Sequence, residues 1–115
     1  MKIWSKKLVS LLDTILPTYD ENSEEELKVP CITYRSGSNV PVAEGDDLRY
    51  SNGYYRIKLH VKDLGDAEDY LQQIDTLMYM NRFFRESCDE IKIGDVHQFT
   101  ITYRVMTRER ILNYA

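Results

Sequence analysis

Two segments alternate apolar and polar residues almost without error: Tyr55-Arg56-Ile57-Lys58-Leu59-His60-Val61-Lys62 and Gln98-Phe99-Thr100-Ile101-Thr102-Tyr103-Arg104-Val105. Successive side chains of a strand point to opposite faces of its sheet, so each segment is predicted as a strand with one buried and one wet face. The wet face of the first carries Arg56, Lys58, His60 and Lys62, a basic row on a chain whose formal net charge is -4. That contrast makes the half-exposed sheet the feature most informative about function.

The remaining elements follow from periodicity and breakers. Trp4, Leu8, Leu11, Leu12 and Ile15 fall on one stripe of a helix, with Lys6, Lys7, Ser10 and Asp13 opposite, and Pro17 stops it. The acid-rich run from Tyr19 to Glu26 offers almost nothing to bury, so residues 18–28 are expected to be an exposed linker. Val29-Pro30-Cys31-Ile32-Thr33-Tyr34-Arg35 is rich in strand formers, and Pro30 places this end at an edge or a strand start. Residues 36–52 are rich in Ser, Gly, Asn, Asp and Pro, with Val40, Val42, Leu48 and Tyr50 as apolar anchors. They are expected to form a long functional loop.

Beyond the basic strand, Gly65-Asp66 precedes a second amphipathic helix. It presents Ala67, Tyr70, Leu71, Ile74, Leu77 and Met78 on one face, with Asp66 as its expected N-cap and an end near Arg85. Glu90-Ile91-Lys92-Ile93 and the strand from about His97 flank Gly94-Asp95, a hairpin turn signal. Residues 107–115 are expected to be a flexible tail that orders against a neighbour. At 115 residues the chain fits one domain, which buries roughly two-thirds of its unfolded surface. The order predicts an α+β domain over 1–115: an antiparallel sheet of about four strands, two helices packed on one face and the other face free.

Little in the sequence supports catalysis. The histidines, His60 and His97, accompany no nucleophile elbow and no further ligands with metal-site spacing. The acidic groups Glu24-Glu25-Glu26 and Glu44, Asp46, Asp47 lack the calcium-loop pattern, and Gly37, Gly45 and Gly53 form no phosphate-cradling loop. No enzyme activity, metal or cofactor is therefore expected. Cys31 and Cys88 lack CxxC spacing and read as reduced thiols of a cytosolic protein. The N-terminal segment is interrupted by Ser5, Ser10 and Asp13 and reads as neither a signal peptide nor a membrane span. A nucleic-acid track along Arg56, Lys58 and Lys62, with Arg35 or Arg104, would want aromatics on the same face. Tyr55 and Tyr103 alternate inward instead.

One combination resembles a known family. It comprises an N-terminal amphipathic helix, Val29-Pro30-Cys31-Ile32-Thr33-Tyr34, and Asp46-Asp47 through Ser51-Asn52 leading into Tyr55-Arg56-Ile57-Lys58-Leu59-His60-Val61. A helix containing Ile74-Asp75 and Met78, then Asn81-Arg82-Phe83-Phe84-Arg85 and a final strand with Tyr103-Arg104, complete it. The chain resembles the small tail-terminator, or tail-completion, proteins of long-tailed bacteriophages and related prophages, departing from them at His60-Val61, where an aromatic often ends the long strand.

The resemblance implies an α+β subunit of a ring, a hexamer, at the head-proximal end of the tail tube. The ring ends tube growth and joins the tail to the head connector, with no enzymatic activity and no membrane. Its partners would be further copies of itself, the tube protein and the connector or neck protein, with non-specific contact to DNA in the lumen as an addition. Its place would be the host cytoplasm during assembly and then the virion. A neighbouring neck protein, a stopper or adaptor, would read much the same, and a small nucleic-acid-binding module using the basic strand is the alternative class. The expected interface is Arg56, Lys58, His60 and Lys62 facing acidic groups such as Asp46, Asp47 or Glu24 to Glu26 of a neighbour, with Tyr50 beside them.

Overall fold

The structure, a computed structural model, describes residues 2–23, 27–44 and 48–110, and within them the side chains of all but 2–5, 38–39, 41, 43–44, 48–49 and 108–110. In chain order the elements are α1 (Lys2–Leu12), β1 (Thr18–Asp20), β2 (Cys31–Glu44), β3 (Leu48–Val61), α2 (Leu64–Met80), β4 (Phe83–Ile93) and β5 (Val96–Arg110). The strands form one sheet in the order β1-β2-β3-β5-β4, with β1 parallel to β2 and every other pairing antiparallel. This is the expected α+β arrangement, with five strands rather than about four.

The two alternating segments lie side by side at the centre of that sheet. Tyr55 pairs with Tyr103, Ile57 with Ile101 and Leu59 with Phe99, so the apolar positions of both strands share one face. Onto it α1 and its following turn bring Leu8, Leu12 and Leu16, and α2 brings Ala67, Ile74 and Met78. These residues form a single buried cluster with Ile32, Phe83 and Val105. Each aliphatic side chain fully removed from water contributes roughly 1.5–3 kcal/mol. A one-residue slip of β3 against β5 would turn Tyr55, Ile57 and Leu59 away from the helices, which fixes the register.

Local chemistry sets the ends of α2. Asp63, not Asp66, is the N-cap: its Oδ1 accepts from the Gly65 amide at 2.8 Å, and Asp66 lies inside the first turn, where its charge suits the helix dipole. The helix ends at Met80 rather than near Arg85. Asn81 Nδ2 donates to the Leu77 carbonyl at 2.8 Å, and Arg82 turns the chain through φ 66°. Phe83 can then drop into the core edge-on to Tyr55, with ring centroids 6.1 Å apart. Gly94 and Asp95 make the expected two-residue turn between β4 and β5, with Gly94 at φ 63°, a conformation that favours glycine.

Three expectations are corrected. Residues 36–52 are not a loop, because Ser36–Glu44 continues β2 and Leu48–Asn52 begins β3, with 45–47 outside the described residues. The weak strand formers there are held by ladders: β3 pairs with β2 on one side and with β5 as far as Leu48↔Arg110 on the other. Irregularities at Ser36/Asn39 and Pro41/Ala43 absorb the awkward residues of β2. The 18–28 linker begins as strand β1, whose register puts Tyr19 beside Thr33, while Glu24 to Glu26 lie outside the described residues. The 107–115 tail begins as the end of β5, and 111–115 lie outside the described residues. The long strands draw the molecule out to 56 × 27 × 23 Å, with a radius of gyration of 15.8 Å against about 13 Å for a compact chain of this length.

A polar clamp ties α2 to the sheet. The buried Tyr103 hydroxyl donates to Asp75 Oδ1 at 2.5 Å, and Arg85 Nη1 donates to Asp75 Oδ2 at 2.8 Å. Burial, then the bond to Asp75, pushes the Tyr103 hydroxyl far above its ordinary pKa. Losing the acceptor leaves a buried hydroxyl unmet, whereas losing the hydroxyl leaves a carboxylate still paired with half-exposed Arg85. Asp75→Ala is therefore expected to cost about 1–3 kcal/mol and Tyr103→Phe less. Urea denaturation of both variants checks this, and equal costs would remove the clamp.

Candidate interaction surface

The continuous β3–β5 register sends the even-numbered residues of both strands to the face away from the helices. Tyr50, Asn52, Tyr54, Arg56, Lys58 and His60 form one row, and Gln98, Thr100, Thr102, Arg104 and Met106 the next. Three of the expected basic residues thus share a row, while Lys62 falls one residue beyond the end of β3. Extending β3 back to Leu48 adds Tyr50 and Tyr54 to the open face. Sequence reasoning placed Tyr50 in the interface but started the strand at Tyr55, which left Tyr54 unplaced.

Most of the basic row is neutralised within the chain itself. Lys58 Nζ donates to Glu21 Oε1 at 2.9 Å with both side chains about three-quarters covered, and Lys62 Nζ lies 3.7 Å from Asp95 Oδ2 on the exposed turn. His60 Nε2 is 2.9 Å from Thr33 Oγ1. Burial first, and Lys58 second, pull its pKa below the ordinary histidine value, with Glu21 opposing. Asp46, Asp47 and Glu24 to Glu26, the expected acidic counterparts, lie outside the described residues.

Arg56 is the exception. It is exposed, and its direct cross-strand neighbour is exposed Arg35. Like charges placed opposite each other on an antiparallel pair are unfavourable, and neither guanidinium has a carboxylate partner among the described residues. Both line a recess of about 270 Å³ with Gly37, Tyr54 and Thr102. Gly37 permits the close approach of β2 to β3 there, since a Cβ would lie 2.9 Å from the Tyr54 carbonyl oxygen. Two guanidinium forks beside a hydroxyl suit a carboxylate or a phosphate oxygen. Sequence reasoning named Arg35 only as an accessory, although its place after Cys31 and Thr33 in the period-2 pattern already put it on the wet face.

One end of the open face is apolar. Val40 and Met106, 47% and 52% exposed, flank Asn52 across three strands, and Asn52 Oδ1 is buried without a hydrogen-bond partner among the described residues. Tyr50 lies by Phe84, Arg104 and Met106. Arg104 pairs with Glu86 at 2.7 Å and sits 5.7 Å over the Phe84 ring.

Cys31 is buried in β2 and Cys88 exposed in β4, both as free thiols. Three strand spacings, about 14 Å, separate them, twice what a disulfide spans. Burial raises both pKa values, which disfavours the reactive thiolate. Among the described residues no group of three or more His, Cys, Asp or Glu could hold a metal ion, and no helix is long and apolar enough to cross a membrane. No protein-family model matches the chain, and no curated protein is significantly similar to it.

The His60 environment carries a pH signature. Because its folded pKa lies below the unfolded value, neutral His60 stabilises the fold above the unfolded pKa of about 6.5, and that contribution is lost as pH falls through the folded pKa. Urea midpoints are expected to drop from pH 7 to pH 5 more steeply for the natural chain than for His60→Gln. Parallel slopes would show that His60 is not held neutral.

Proposed function

We propose that this chain is a structural virion assembly protein. In this reading it forms a ring, a hexamer, at the head-proximal end of a long-tailed phage tail tube, ends tube growth and joins the tail to the head connector. It binds copies of itself, the tube protein and the connector, and it acts in the host cytoplasm and then in the virion. The tail-terminator-like segments support the reading, and the observation that carries it is the pair of unlike free edges on a half-covered sheet. Among the described residues, β4 is an edge along its length on one side, and on the other β2 is an edge once β1 stops opposite Tyr34. Free edges invite pairing, and unlike edges pair head to tail, a heterologous contact that closes into a ring when the rotation allows. The exposed Val40, Val42, Phe84, Ile91, Ile93 and Met106 are the surface an assembly would cover.

A second reading, a nucleic-acid-binding module, is favoured by Tyr54 beside Arg35 and Arg56. The ion pairs of Lys58 and Lys62 weaken it by leaving few free cations for a phosphate track.

Sedimentation equilibrium and negative-stain imaging test the assembly reading. The expected result is a closed ring of about six copies that caps isolated tail tubes. A monomer at every concentration that leaves tube ends growing would overturn it. Retention on DNA at low salt, lost steeply as salt rises, would favour the second reading instead.

A further inference from the structure

The recess at Arg35 and Arg56 lies on one free edge of the sheet, and the opposite free edge carries a matching group. On β4 the residues sharing the open face are those opposite Thr100, Thr102 and Arg104 of β5, which makes Asp89 and Phe84 open-face residues. Three carboxylates stand on β4. Glu86 is paired with Arg104 and Glu90 with His97, whereas Asp89 is exposed with no partner among the described residues. The edge of β2 shows the reverse: among the described residues, Arg35 is a cation without a carboxylate partner beside a second one, Arg56.

Strand directions and spacing agree with this complementarity. Because β2, β3, β5 and β4 alternate in direction, β4 runs antiparallel to β2. A head-to-tail neighbour that continues the sheet therefore brings its β4 alongside β2 antiparallel, with the open faces on the same side. Setting Asp89 opposite Arg35 then sets Phe84 opposite Val40, two apolar side chains 40% and 47% exposed. Each edge carries one extra residue between those points, in β2 between Ser36 and Asn39 and in β4 between Arg85 and Ser87. The two irregular edges thus keep step. β1 bounds the contact at Tyr34, and Pro41, which has no amide proton to donate, bounds it at the other end.

We propose, resting on the self-assembly reading, that the occupant of the Arg35–Arg56 recess is the Asp89 carboxylate of a second copy, delivered by β4 of that copy pairing with residues 35–40 of β2. The carboxylate relieves the like-charge pair, and the Phe84–Val40 contact sets the register. A protein carboxylate fits better than nucleic-acid phosphate because the chain bears 19 acidic against 15 basic residues and the rest of the basic row is already paired.

Sedimentation velocity on Arg35→Asp, Asp89→Arg and the double variant tests this contact. Both residues are exposed, and thermal melts check that each variant is folded. Each single change is expected to raise the dissociation constant for self-association about tenfold or more, and the double variant to recover most of that loss. Assembly of the natural chain that neither single change weakens, or a double variant no better than the worse single one, overturns the Asp89 contact and leaves the assembly reading standing. A natural chain that never assembles overturns both. If Arg35→Asp instead abolishes DNA retention while assembly is unchanged, the recess takes phosphate and the proposal fails.

Discussion

The unbroken pairing of β3 with β5, from Leu48↔Arg110 to Val61↔His97, is the constraint on which the rest of the structure depends. With no bulge anywhere along it, one parity of residue number faces the helices and the other faces away, from Tyr50 to Val61 and from His97 to Thr107. The core position of Ile57 and the open position of Arg56 are therefore one fact. The hydrophobic effect holds that parity, because a one-residue slip of β3 would turn Tyr55, Ile57 and Leu59 away from the core that Phe99 and Ile101 help to form. The same ladder carries the sheet to Tyr50 and Met106, where the Ser-, Gly- and Asn-rich composition offers little strand propensity of its own.

How much of this was legible depends on where burial writes a pattern. Alternation in 55–62 and 98–105 identified the two central strands and the faces of Arg56, Lys58, His60, Tyr55 and Tyr103, because both strands are covered on one side only. The helix stripes were legible for the same reason, in Leu8 and Leu12 and in Ala67, Ile74 and Met78. The 36–52 strands were not, because they are held by neighbours rather than by propensity. Thr18–Asp20 was missed because three residues that gain order only by pairing with β2 carry no period. The end of α2 was misplaced because Phe83-Phe84-Arg85 continues an apolar pattern, and what diverts it is the demand for Phe83 beneath Tyr55, a tertiary requirement.

The candidate site was legible as a face but not as a set of charges. Sequence shows which residues point outward, and not which of them find partners 27 to 37 positions away. Lys58 is taken by Glu21, distant in sequence but brought back by β1, and His60 is taken by Thr33 from β2. Once those contacts are subtracted, the basic row of four shrinks to Arg56, and the significant charge becomes its cross-strand neighbour Arg35. A surface cation counts toward recognition only if the fold has not already spent it on a local pair.

The irregularities of the two edges bear on the same point. Bulges and Pro41 are the devices by which sheet edges avoid indiscriminate pairing, since they break the even spacing a foreign strand needs. An edge that is irregular in a particular way still fits one partner, namely a strand irregular at the matching place. Both the 35–40 stretch of β2 and the 84–89 stretch of β4 carry a single extra residue, and each ends in one charged and one apolar open-face side chain. In the proposed contact, protection against general aggregation and specificity for a second copy would come from the same residues, which a smooth and uniformly polar edge could not provide.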